Sequence, residues 1–176
     1  MRKVVMYIAM SLDGYIADKN GGVNWISGDG SDTENAGSFP EFIETVDTVV
    51  LGYRTYRQII TELSPDHWPY LGKKSYVLTH RTCENTKDIM FTNNDIEKLL
   101  VEIKAQSGKD IWVCGGADIV NQLIHFDLID LYWVTIIPTL LGEGIRLFQP
   151  FDSGKRLRLL SEKSYNGMVD LIYGAR

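Results

Sequence analysis

From Val4 to Met10 the chain reads VVMYIAM, apolar without a break, as a strand covered on both faces would be. Shorter apolar runs follow at TVVLG, SYVLT, IMFT and IWVC, and a longer one at IDLYWVTII. Between them the spacing turns helical. Ser38, Pro40 and Glu41 have the pattern of an N-cap, a first-turn proline and a capping-box acid, ahead of an apolar side made by Phe42, Ile43 and Val46. Tyr56, Ile59 and Ile60 predict a second helix after Gly52, ended by the loop SPDHWPYLGKK. From Asp95 to Gln106 an amphipathic helix runs through Ile96, Leu99, Leu100 and Ile103, and another runs through Ile119, Val120, Leu123 and Ile124. Buried strands alternating with helices predict an α/β fold built on a mainly parallel sheet with right-handed crossovers. The end of the chain differs. RLRLLSEKSY and MVDLIYG flank Asn166 and Gly167, the preferred pair for a two-residue hairpin turn, so an antiparallel ribbon should close the sheet edge.

The segment from Leu12 to Ser38, rich in Gly, Asp, Asn and Ser, is long for a loop in a compact domain, and such loops usually carry function or move. No internal repeat, linker or low-complexity tract interrupts the chain, and its 176 residues suit one domain, 1–176. A net charge of -5 and the lack of any Lys/Arg cluster longer than a short pair argue against nucleic acid as a partner. Arg2 and Lys3 before the first apolar run faintly imitate a signal peptide, but Ser11 and Asp13 cut that run short, so it reads as a buried strand. No apolar run approaches the roughly 18 residues of a membrane span. Cys83 and Cys114 form neither metal spacing nor a disulfide framework, which fits a reducing compartment; a cytoplasmic protein is expected.

Candidate chemistry gathers at strand ends. IWVCGGADIVNQLI places Gly115 and Gly116 between a strand and a helix, where backbone can approach a ligand closely and helix N–H groups are free. The same pair could be only a tight turn, and Asp118 just inside the helix could cap those N–H groups itself. VVLGYRTYRQI repeats the arrangement with Gly52, Arg54 and Thr55, and SYVLTHR ends in Thr79, His80 and Arg81. Glycine, hydroxyl and cationic groups at three successive strand ends suit a phosphorylated dinucleotide. Neither GxGxxG nor GxxxxGK[ST] occurs.

These segments, with AMSLDGYIADKNG near the start and LIDLYWVTIIPTLLGEGIRLF near the end, occur in the order seen in the dihydrofolate reductase superfamily. The similarity covers nearly the whole chain and is greatest to the branch containing the reductase domain of the bifunctional riboflavin-biosynthesis deaminase-reductase and its standalone relatives. The resemblance implies a dihydrofolate reductase-like three-layer fold and an NADPH-dependent reductase acting on a small molecule. By position it implies that Ala9, Ile16 and Ala17 surround the nicotinamide, and that Gly52, Arg54 and Thr55 meet the pyrophosphate and 2′-phosphate. Thr79 and Arg81 would add 2′-phosphate contacts, and Cys114, Gly115, Gly116 and Ala117 would form the turn beside the pyrophosphate. The family often has Arg directly after the first of these glycines, whereas here that place is Tyr53, which leaves NADPH over NADH open. Relatives are commonly homodimers, and a homodimer is expected here too.

A nicotinamide reductase has to align donor and acceptor and have a proton supplied. Asp13, in the SLDG turn, is the first candidate to orient substrate or deliver that proton; it could instead close an Asx-type turn before Gly14. Trp25 could wall a substrate pocket or belong to a core, and Glu143, in the GEG loop, could face substrate or solvent. Folate-reducing enzymes carry a pterin-binding acid on the helix before the VVLG-type strand, but counting back from Gly52 lands on Ala36, with Asp32, Glu34 and Glu41 only nearby. The preferred substrate is therefore a small heterocycle or carbonyl compound related to pterins or riboflavin precursors. Authentic dihydrofolate reduction and a nucleotide-binding protein without catalysis are the alternatives. His67, His80 and His125 lack metal-ligand spacing, and Ser11 lacks a partner His, so neither a metal site nor nucleophilic hydrolysis is expected.

Overall fold

In the computed structural model, which describes residues 1–151 and 153–176, ten strands and four α-helices follow one another along the chain. Strands β1 (Val4–Ser11), β3 (Val46–Gly52), β4 (Lys74–Leu78), β5 (Ile89–Thr92), β6 (Asp110–Gly115), β7 (Leu131–Ile137), β9 (Leu157–Tyr165) and β10 (Met168–Ala175) form one sheet in the order β5-β4-β3-β6-β1-β7-β10-β9. All pairings from β5 to β7 are parallel, so those strands end on the same edge; β10 and β9 are antiparallel additions. The mainly parallel α/β sheet with a C-terminal antiparallel hairpin is thus what the apolar pattern predicts.

The unbroken first run is explained by two cores. Val4, Met6 and Ile8 of β1 point to one face and pack with Leu99, Leu100 and Ile103 of α3 (Ile96–Lys104) and with Val120 and Leu123 of α4 (Ala117–His125). Val5 and Tyr7 point to the other, against Phe42 of α1 (Phe39–Thr45), Ile59 and Trp68. A strand between two helical layers has no polar side, and alternation disappears. Each fully buried aliphatic side chain contributes on the order of 1.5–3 kcal/mol relative to exposure, so both layers are needed to hold the sheet. Helix α3 starts as its sequence suggests, with the Asp95 carboxylate accepting from the amide of Glu97 at 2.9 Å.

One local expectation is corrected. Ser38 precedes α1, but its hydroxyl makes no cap bond, so the capping box does not form; the residue sits buried in a helical conformation instead. The second helix is α2 (Tyr53–Gln58) continued by a π-helical turn at Ile59–Leu63. The long loop contains β2 (Tyr15–Ala17), which pairs antiparallel with the two-residue β8 (Ile145–Arg146), a ribbon with no local sequence signature. At the N-terminal ends of the strands the buried Arg2 is ion-paired with Asp47 and donates to Thr48 Oγ1 at 2.6 Å and to the Lys109 carbonyl at 2.6 Å. Arg2 thus ties β3 to the segment entering β6, at the end of the sheet away from the cleft described next.

Candidate active site

The carboxyl ends of β1, β3, β6 and β7 open into a cleft of about 1030 Å³, at the upper end of the size range of small-molecule sites. Its chemistry changes along the sheet order. On the β3 and β6 side the wall is Gly52, Tyr53, Arg54, Thr55, Arg57 and Gln58, facing Cys114, Gly116, Ala117 and Asp118. In the middle, on β1 and β2, are Ile8, Ala9, Ile16 and Ala17. On the β7 side are Thr135, Tyr165 and Met168, with Tyr7 and Phe39 beside them.

The first zone is built for close backbone approach. Gly115 has φ +125°, a conformation that L side chains rarely adopt, and a Cβ on Gly116 would lie 3.3 Å from Thr55 Oγ1. The Gly115–Gly116 peptide is cis. Gly116 is the N-cap of α4 and no side chain caps that helix, so Asp118 does not occupy the N–H groups as it could have done. Arg54 and Arg57 are exposed on the wall and form no ion pair among the described residues. Free amides at a helix start, two unpaired guanidiniums and the Thr55 hydroxyl together suit phosphate oxygens. Burial pushes the Cys114 thiol up to about 12, so it stays a thiol beside this turn rather than a nucleophile.

Nine of the twelve residues expected at the cofactor, Ala9, Ile16, Ala17, Gly52, Arg54, Thr55, Cys114, Gly116 and Ala117, share this wall. Thr79, Arg81 and Gly115 are not on it. Thr79 Oγ1 accepts from the backbone amide of Arg81, and the Arg81 guanidinium lies 5.1 Å from the centre of the Tyr53 ring, which is on the wall. Gly115 shapes the turn from within.

The expected substrate residues are elsewhere. Asp13 accepts from the amides of Gly142 at 2.7 Å and Leu141 at 3.1 Å and from the Ser11 hydroxyl at 2.6 Å. The Ser11 bond foremost, with those amides, holds its carboxyl at about 2, far below what a proton donor at neutral pH requires. Asp13 is off the cleft wall and clamps the loop leading to β8. Trp25 is also off the wall, its indole donating to the Gly22 carbonyl at 3.1 Å. Glu143 is exposed and pairs with the equally exposed Lys19 at 2.7 Å.

The sequence reading missed the β7 side. Asp170, 1% exposed, sits in β10 directly across from Thr135. Its Oδ1 accepts from Thr135 Oγ1 at 2.6 Å and from the Tyr165 hydroxyl at 3.0 Å. Burial first, and the Asp170 charge second, raise Tyr7 well above its ordinary value; the same two causes raise Tyr165. Both phenols therefore keep their protons. Asp170 Oδ2 and Trp133 Nε1, on the same face of the sheet, are the buried side-chain polar atoms without a partner among the described residues. Ala36 lies on the wall, while Asp32, Glu34 and Glu41 are exposed and away from it. Among the described residues no group of His, Cys, Asp and Glu could hold a metal, and no helix is long and apolar enough to cross a membrane.

The RibD C-terminal domain family matches residues 2–172 of the chain. The uncharacterised proteins YwjB and YyaP of Bacillus subtilis (strain 168) are similar at 37% identity over 98% of this chain and 97% of theirs, and at 30% over 98% and 94%. The riboflavin biosynthesis protein RibD of Corynebacterium ammoniagenes is 27% identical over 81% of this chain, which spans 44% of its length. Among solved structures, a protein of Shewanella sp. PV-4 assigned to riboflavin biosynthesis superposes with a TM-score of 0.85 at 26% identity, covering 100% of this chain and 99% of that one. The deaminase/reductase of Thermotoga maritima gives 0.74 at 14% identity over 99% of this chain and 57% of that one, a likeness of fold.

Proposed function

The chain belongs to the RibD C-terminal domain family, and on that premise we propose that it is an NADPH-dependent reductase of a small heterocyclic or carbonyl substrate related to pterins or riboflavin precursors. The observation that carries this reading is the graded cleft: phosphate-compatible groups at Arg54, Thr55, Gly116 and Ala117, an apolar centre at Ala9, Ile16 and Ala17, and hydroxyls at Thr135 and Tyr165.

In this reading NADPH supplies the hydride, and the chain supplies orientation and dryness. Thr55 and the first amides of α4 hold the pyrophosphate, and Arg54, with Arg57 beside it, neutralises the 2′-phosphate. Ala9, Ile16 and Ala17 give the nicotinamide an apolar floor with no side chain bulky enough to displace it. Thr135 lies abreast of Ala9, since β1 and β7 pair them in register, so a substrate bonded to Thr135 is placed next to the nicotinamide zone. With Asp13 committed to the loop clamp, the proton that completes the reduction comes from solvent.

Authentic dihydrofolate reduction is disfavoured because no acid of the segment before β3 reaches the wall. The reading is tested by NADPH oxidation, followed by absorbance, against a panel of reducible pyrimidines, pterins and small carbonyl compounds. Turnover with at least one of them and weak methotrexate binding support the proposal. Failure of every compound to be reduced sinks the catalytic reading and leaves a nucleotide-binding protein.

A further inference from the structure

Asp170 is a carboxylate almost wholly out of solvent, and among the described residues no Lys, Arg or His pairs with it. Such burial is costly, and an apolar pair would join β7 to β10 at less cost. Two hydroxyl hydrogen bonds, from Thr135 and Tyr165, converge on one of its oxygens. A hydroxyl has one proton. With both protons given to Asp170, the oxygens of Thr135 and Tyr165 can only accept from any other group. Without Asp170 each hydroxyl would rotate and offer either a proton or a lone pair. Both residues line the cleft, and Thr135 is the in-register neighbour of Ala9.

We propose that Asp170 is a positioning residue that turns the Thr135 and Tyr165 hydroxyl protons away from the cleft, leaving two oxygens that only accept and so select ligands by an N–H donor edge. The proposal rests on reading this end of the cleft as the substrate side, but it needs no nicotinamide to operate. Amino-substituted heterocycles would be taken in, and analogues of the same outline with methyl groups in place of amino groups would be refused, because each leaves a buried acceptor unpaired.

The test compares 2,4-diaminopyrimidine with 2,4-dimethylpyrimidine, at a pH where both rings are neutral, by NMR titration of the protein without cofactor. The wild type should bind the diamino ring at least about tenfold more tightly, the size of one good hydrogen bond. In D170L, which removes the carboxylate that takes both protons and so leaves the hydroxyls free to turn, the ratio should fall to within about threefold. T135V and Y165F, which delete one acceptor each, should lower it as well and carry the test if D170L does not fold. A purely structural Asp170 would weaken both rings alike and leave the ratio intact. That result, or equal binding or no diaminopyrimidine binding by the wild type, overturns the proposal. Binding of NADPH is read separately: if NADPH does not bind but the ratio collapses in D170L, the subsite stands while the reductase reading falls.

Discussion

Arg54 is an exposed guanidinium at a phosphate-compatible wall, and its contribution should be specific to the extra phosphate of NADPH. Replacing it by Ala is expected to weaken NADPH about tenfold while leaving NADH within about twofold, measured by nicotinamide fluorescence; equal losses would place Arg54 elsewhere. Asp13 makes a different prediction, about stability. Its folded-state carboxyl lies at about 2, below the ordinary 3.8, so its bonds to Ser11, Gly142 and Leu141 stabilise the protein fully above roughly pH 4 and lose that effect as pH falls toward 2. D13N should therefore melt below the wild type at neutral pH, with the gap closing across that acid window. A gap that does not depend on pH would contradict the clamp. Asp13 also shows where residue-level reading stops: an acid in a turn beside the expected nicotinamide has the chemistry of a catalyst, and only the distant amides that claim it reveal another task.

At the scale of elements, the hairpin β9–β10 was fully legible. Asn166 and Gly167 both adopt positive φ, 45° and 72°, as the turn requires. What Asn166 does beyond the turn was not legible. Its side-chain oxygen accepts from the amides of Gly30 at 3.0 Å and Asp32 at 3.2 Å, and its carbonyl accepts from Asp29, so the hairpin tip pins the long loop that borders the cleft. N166G should keep the turn, which glycine also suits, and release the loop. Faster hydrogen exchange at Gly30 and Asp32 with unchanged exchange in β10 is the expected outcome; unchanged exchange at all of them would show that other contacts hold the loop. The strands and the helices α3 and α4 were readable because their periodicity is local. The β2–β8 ribbon was not, because residues 15–17 and 145–146 meet only through tertiary structure.

For the whole molecule, sheet order decides what the cleft can be. Because β3, β6, β1 and β7 are neighbours in that order and parallel, their ends place Arg54, Gly116, Ala9 and Thr135 along one groove, although up to 126 positions separate them in the chain. The sequence reading found Arg54 and Gly116 by their cation and glycine signals, and Ala9 through the family resemblance. It passed over the fourth, and Asp170 and Tyr165 with it, because a lone Thr in an apolar strand reads as packing and an Asp in a terminal hairpin reads as its solvated side. Register across β7 and β10 turns them inward, and no local pattern encodes that register. The most direct test of this account is a titration of the purified protein with NADPH and, separately, NADH, following nicotinamide fluorescence and melting temperature. Saturable binding that raises the melting temperature by mass action, with NADPH the tighter of the two, is the expected result. Absence of binding by either cofactor would reduce the Gly115–Gly116 joint to a turn and contradict the assignment of the cleft.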